Sequence, residues 1–274
     1  IKTMKKRRIR KTWKKRMRVI IGVSFLLVTV WGWSFWKNSN DNKGMTKPYA
    51  HDYHWSHLDR SKMIYRYEDS RYYSRFGIDV SSHQGRIDWS KVKKAGVQFA
   101  YIRLGYRGYQ NGGLHEDTTF RYNIEEALKQ NISVGVYFFS QAINEKEAKE
   151  EANFVLKRIR SYSISLPIVY DLETVSEAKR QRIGLLTKED RTKQAVAFIK
   201  NIQQNGYKAM TYSSTKIFAN MYQLDVIQKY LVWVAEYDQV VKYPYQFQFW
   251  QYSHRGRING INRYVDLNLQ LIRK

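Results

Sequence analysis

Residues 166–174 read LPIVYDLET, and the alternation within them decides how the rest of the chain is read. Neighbouring side chains of a β-strand point to opposite faces. Val169, Asp171 and Glu173 therefore share one face, with Tyr170 and Leu172 on the other. Two carboxylates end an apolar run, where a charge is unfavourable unless it is paired or used. In β/α sheets the chemistry collects at the carboxyl ends of the strands. Residues 167–173 are one of eight strand-like runs, with 77–80, 99–104, 134–140, 208–212, 231–235, 246–252 and 264–267. Helical periodicity falls at 89–95, 117–130, 145–160 and 188–205. The last of these opens on a capping-box pair, Thr187 and Asp190, and stops at Gly206, a residue suited to the left-handed turn. Helices separate the early strands and are missing near the end. The predicted fold class is α/β, an incomplete TIM-like β/α barrel of about five β/α units plus extra strands.

Two more acids end predicted strands: Asp79 in FGIDVSSHQG and Asp266 in RYVDLNL. With Asp171 and Glu173 they make four carboxyls, each set among apolar residues. Neighbouring carboxylates push one another's pKa values up and keep a proton available near neutrality, as general acid work requires. Any one of them could instead cap a loop or pair with Arg103 or Arg107. Four at strand ends in one domain favour a catalytic site.

The charge is distributed unevenly. The chain of 274 residues carries a formal charge of +24 and no cysteine. The lack of cysteine excludes a disulfide-stapled scaffold, thiolate zinc sites and a cysteine nucleophile. Residues 1–18 hold eleven Lys and Arg and no acid, and residues 19–36 follow without a charge. As a helix those eighteen residues would be about 27 Å long, close to the hydrocarbon thickness of a bilayer. Trp31, Trp33 and Trp36 cluster at the far end, where indole rings favour the lipid–water interface. The reading is a basic cytoplasmic tail (1–18), a transmembrane helix (19–36), an extracytoplasmic linker (37–75) and a catalytic domain (76–274). A cleaved signal peptide competes, but the run is long and no small-x-small cleavage site follows Trp36. Because topology accounts for the basic tail, nucleic acid is not an expected partner. His51, His54 and His57 lie near Asp52 and Asp59 without supporting ligands, so no metal is expected.

The stretches FGIDVSSHQGRIDW, FAYIRLGY, GVYFF, VYDLE, WVAEY and FWQYSHRGRINGINRYVDLN, in that order, resemble the family 25 glycoside hydrolases. The resemblance runs through 76–274. It implies lysozyme (N-acetylmuramidase) activity on the β-1,4 bond between N-acetylmuramic acid and N-acetylglucosamine, without a cofactor. Position by position it implies Glu173 as general acid, Asp171 as its assistant, and Asp79 and Asp266 as further acids of the cleft. Aromatic rings that stack on sugars are expected among Tyr137, Trp233 and Trp250, and less strongly Tyr106 and Tyr212. Trp250 and Tyr212 could equally be ordinary barrel core. Two residues depart from the family pattern: Phe138 in the GVYFF strand, and Glu236 of WVAEY where a basic residue is expected. The expectation is a single-pass protein of a bacterial cell membrane whose partners are peptidoglycan glycan strands and the lipid bilayer. The competing readings are a catalytically silent glycan-binding barrel and a basic membrane scaffold that binds nucleic acid.

Overall fold

The structure, a computed structural model, describes residues 50–173 and 182–274. The expected tail and transmembrane helix lie outside the described residues. Among the described residues no helix is long and apolar enough to cross a membrane.

The strands are β1 (Leu58–Asp59), β2 (Arg66–Tyr67), β3 (Tyr72–Val80), β4 (Phe99–Arg107), β5 (Leu114–Glu116), β6 (Ser133–Phe139), β7 (Ile168–Asp171), β8 (Ala209–Ser214), β9 (Leu231–Ala235), β10 (Phe249–Gly256) and β11 (Val265–Arg273). Eight of them close a barrel in the order β3-β11-β10-β9-β8-β7-β6-β4, with β4 returning to β3 and β5 attached outside β4. Each of the eight predicted runs is one of these staves. The barrel neighbours are parallel except β11, which runs antiparallel to both β10 and β3. The helices are α1 (Trp89–Lys94), α2 (Phe120–Lys129), α3 (Glu145–Ile159), α4 (Lys188–Gln204), α5 (Thr215–Met221) and α6 (Leu224–Ile227). Helices follow β3, β4, β6, β7 and β8, which gives the expected five β/α units. The sequence reading missed α5 and α6, which are too short for a periodic signal. Thr187 and Asp190 form the capping box of α4, and Gly206 just past its end has φ of 84°. Helix α2 starts later than expected because Asp117 holds the turn before it, accepting from the Thr119 N–H and Oγ1 at 2.9 and 2.8 Å.

Alternation sorts the side chains of each stave. Phe99, Tyr101, Val169, Met210, Trp233 and Phe249 meet inside the barrel and plug it below the carboxyl ends of the strands. Two glycines make room for this layer: a Cβ on Gly77 would lie 2.5 Å from the Phe99 ring, and one on Gly135 would lie 2.2 Å from Tyr101. Val232, Val234, Trp250 and Tyr252 face outward.

Residues 50–71 cover the outer face of β10 and the loop before it. Trp55 stacks on Phe247 and meets Trp250 edge-on, and Tyr65 stacks on Tyr252 with centroids 4.2 Å apart. The Tyr53 hydroxyl donates to the Phe247 carbonyl and accepts from Gln246 Nε2. The folded unit thus begins well before Phe76, where the sequence reading placed its edge, and runs over Tyr49–Lys274. From residue 50 onward the expected linker is part of the domain. The sequence marks Tyr65, Tyr67 and Tyr72 as residues that could lie against the domain but not what they meet, because the surface they cover is assembled from β10 and its preceding loop.

Candidate active site

The carboxyl ends of the parallel strands open on a cleft of about 770 Å³, lined by all four predicted acids. Strand register brings them together. Asp79 on β3 lies directly opposite Asp266 on β11. Asp171 ends β7 in register with Phe139 on β6 and Tyr212 on β8. The ladder continues one residue further, where the Leu172 N–H donates to the Tyr212 carbonyl at 3.2 Å. Ser213 Oγ donates to the Leu172 carbonyl at 2.6 Å. This clamp carries the alternation on to Glu173, which lines the cleft with Asp171, while Tyr170 packs on Phe198 of α4.

None of the four acids is in an ion pair among the described residues. Arg103 instead holds Asp117 at 2.8 Å, and Arg107 holds Glu151 of α3 at 2.8 Å. Burial raises the Asp171 carboxyl well above the ordinary range, and the charges of Glu173 and Asp79 add to this against the pull of Arg103. Its Oδ1 is buried without a hydrogen-bond partner among the described residues. Glu173 is the most solvent-exposed of the four. The crowding cleft walls first, and then Asp79, push its carboxyl up to about 7, against Arg103. Cleft water screens Glu173, as it does any exposed charge. Asp79 and Asp266 share a hydrogen bond. Burial raises Asp79 to about 6, held down there by hydrogen bonds from Asn268, Gln251 and Asp266. Burial and then Asp79 raise Asp266 to about 9, and the two amide N–H groups that reach Asp79 favour the negative charge there.

A buried network fixes that arrangement. Asp79 Oδ2 accepts from Gln251 Nε2 at 2.9 Å and Asn268 Nδ2 at 2.7 Å. The Tyr212 and Tyr237 hydroxyls donate to Gln251 Oε1 at 2.8 and 2.7 Å, and Trp233 Nε1 donates to Asn268 Oδ1 at 2.9 Å. Both amides are thereby oriented with their N–H groups toward Asp79. Sequence reading missed Gln251, Asn268 and Tyr237. Gln251 shares a face with Phe249 and Asn268 with Asp266, but a neutral amide does not declare itself as a buried carboxylate does.

Of the five aromatic candidates, Tyr137, Trp233, Tyr106 and Tyr212 line the cleft. Trp233 stacks on Tyr101 with centroids 4.6 Å apart and joins the cleft floor to the core. Trp250 is elsewhere. It pairs in register with outward-facing Val234, and its Nε1 donates to the Glu236 carbonyl at 2.7 Å. A one-residue change of parity moves a side chain to the other side of a sheet, so Phe249 and Gln251 face inward and Trp250 does not. Trp250 is barrel wall, the ordinary-core alternative weighed for it. Phe138 faces outward onto Phe154 of α3, and Glu236 is outside the cleft lining, so neither departure touches the cleft.

Residues 78–261 match the family model for glycosyl hydrolases family 25. The chain belongs to glycosyl hydrolase family 25. This family 25 chain, a lysozyme-type glycoside hydrolase, is 30% identical over 207 residues to Lysozyme M1 of Streptomyces globisporus, covering 70% of this chain and 66% of that protein. It is 29% identical over 208 residues to the Escherichia coli K12 protein named Uncharacterized protein YegX, covering 72% of this chain and 70% of that one. The solved autolysin LytC from Streptococcus pneumoniae matches with a TM-score of 0.64 and 29% identity, over 72% of this chain and 46% of LytC. This chain therefore spans less than half of that autolysin, which has also been solved with a synthetic peptidoglycan ligand. The family match begins at Ile78 and leaves out the segment that covers β10. Among the described residues of this family 25 domain, no group of three or more His, Asp or Glu is placed to hold a metal ion.

Proposed function

We propose that the protein is a membrane-anchored N-acetylmuramidase that cleaves the β-1,4 bond between N-acetylmuramic acid and N-acetylglucosamine for local remodelling of the wall. One observation carries the catalytic reading. Among four carboxyls gathered in one cleft, Glu173 is both open to a ligand and raised to about 7, so it can hold a proton near neutrality. Glu173 gives that proton to the leaving glycosidic oxygen as the anomeric C–O bond breaks. Asp171 assists. Its unpartnered Oδ1 is an acceptor suited to the N–H of the sugar's 2-acetamido group, whose carbonyl oxygen would attack the anomeric carbon. Water then opens that ring intermediate while Glu173 takes the proton back. Asp79 and Asp266 set the charge of the floor. Tyr137, Tyr106, Tyr212 and Trp233 offer ring faces and edges to the sugars.

The eighteen uncharged residues 19–36 behind an eleven-charge tail support the anchor, with the N-terminus cytoplasmic and the domain on the wall side of a bacterial membrane. Digestion of peptidoglycan by the full chain in membranes tests the activity. Reducing ends that are N-acetylmuramic acid are expected, and N-acetylglucosamine reducing ends would refute it. Product with inverted anomeric configuration would refute the acetamido route alone. Protease added to intact cells should reach the domain, and full protection would refute the topology.

A further inference from the structure

The floor of the cleft is acidic, while the β10–β11 hairpin and the turn before α1, beside one of its walls, carry exposed arginines. Arg255 lies near the end of β10, Arg257 and Arg263 lie on the hairpin between β10 and β11, and Arg86 lies on the turn before α1, all of them exposed. This hairpin is fastened to the cleft wall. Arg263 Nη1 donates to the His83 carbonyl at 2.8 Å, and Gln84 Nε2 donates to the Tyr264 carbonyl at 3.1 Å. The Asp88 N–H donates to the Gly260 carbonyl at 2.9 Å. Gly260 has φ of 99°, and a Cβ there would lie 2.5 Å from the Asp88 carbonyl oxygen, so the approach requires glycine. His83 and Gln84 themselves line the cleft, which puts the hairpin at its edge.

Three of the guanidinium groups, those of Arg86, Arg257 and Arg263, are held by neutral partners. Arg257 lies over the Tyr264 ring at 3.9 Å and donates to the Asn262 carbonyl at 3.4 Å, and Arg86 lies over Tyr122 at 4.3 Å. Among the described residues, Arg86, Arg255, Arg257 and Arg263 form no ion pair, whereas Arg71, Arg103, Arg107 and Arg158 each hold a carboxylate. A guanidinium that is positioned but not neutralised is preorganised for a carboxylate, which it can bind through two parallel hydrogen bonds. Behind burial and the charge of Arg103, the field of Arg263 helps hold the His83 imidazole below its ordinary value, so the rim's positive charge reaches the cleft wall.

We propose that this arginine rim is a subsite for the carboxylates of the peptide stems carried by the muramic acid residues of the substrate. The inference rests on the muramidase reading. A glycan strand is neutral along its sugar backbone, and its negative charge is concentrated on the stems. A strand lying over the acidic floor would be unfavourable for those carboxylates at its centre and favourable at the arginine edge. The rim would therefore set both the orientation of the strand and the preference for stem-bearing over bare glycan.

The test uses the full chain with Arg255→Gln and Arg257→Gln combined, which leaves the Arg263–His83 clamp in place. The substrates are peptidoglycan with intact stems and the same strands stripped by an amidase, which leaves only the lactyl carboxylate. On stem-bearing glycan, KM should rise by about fivefold, the effect of roughly one modest charge-assisted contact, with kcat unchanged. On stripped glycan the double variant should match the wild type. Added salt should weaken the wild type on stem-bearing glycan and bring it toward the variant. An equal loss on both substrates, or no loss on either, overturns the subsite. A wild-type chain that cleaves neither substrate overturns the muramidase reading beneath it.

Discussion

Residues 50–71 are expected to hold the wall that carries Gln251, and the size of that effect follows from Tyr53. Its ring is 6% exposed, with the Tyr72 and Phe247 rings at 4.9 and 5.1 Å. Tyr53→Phe removes the hydroxyl that joins Gln246 Nε2 to the Phe247 carbonyl and should cost about 1–2 kcal/mol. Tyr53→Ala also empties a core site and should cost about 3–5 kcal/mol. Beginning the chain at Phe76 does far more. It deletes Tyr72–Arg75, the half of β3 paired with Gln270–Arg273 of β11. It also uncovers one side of Phe247, Trp250 and Tyr252. At about 25 cal/mol per Å² and roughly 100 Å² uncovered per ring, the three rings alone amount to about 7.5 kcal/mol, comparable with the whole stability of a domain. Urea unfolding of the chain with and without these changes measures the series. Residues 76–274 should not give a cooperative transition, and Tyr53→Ala should unfold at clearly lower urea than Tyr53→Phe. If residues 76–274 unfold at the same midpoint as the longer chain, the segment is decoration and the reasoning fails.

Glu173→Gln should lower kcat by at least about 100-fold in a peptidoglycan clearing assay, with cooperative unfolding retained. Glu173 is active as an acid while protonated, so kcat/KM should fall as pH rises through about 7; a rate still climbing at pH 8 would contradict its role. Asp79, Asp171, Glu173 and Asp266 all have raised folded-state values, so the folded protein binds their protons more tightly than the unfolded chain does. Their contribution to stability is therefore fullest below about pH 4 and is lost as pH rises through about 6 to 9, which a falling Tm across that window would register. Asn268→Asp sets another carboxyl against Asp79 in place of a donor, and should shift the alkaline limb of the rate profile upward; Asn268→Ala should not. Arg107→Ala strands Glu151, whose side chain is 0% exposed, and should cost about 3–5 kcal/mol by urea unfolding.

Much of the site was legible because buried carboxylates are conspicuous. Asp79, Asp171, Glu173 and Asp266 stand out against apolar strands, and all four reach the cleft. Trp250 misled because a tryptophan beside a glycan site has two readings, and an FWQY string does not say which parity faces inward. The strand begins at Phe249, and its pairing with Trp233 settles that point. The inward amides escaped notice because their importance lies in the groups they join.

Local information in the sequence determined the strand runs, the helix stops and the face shared by Asp171 and Glu173, since alternation and capping act between neighbours in the chain. Whether Asp79 shares a proton with Asp266 depended on the antiparallel return of β11, 187 positions later. Whether residues 50–71 are linker or wall depended on the outer face of a strand nearly 200 residues away. Those outcomes belong to the closed barrel, because proximity, burial and the resulting shifts in charge exist only once distant staves are brought side by side.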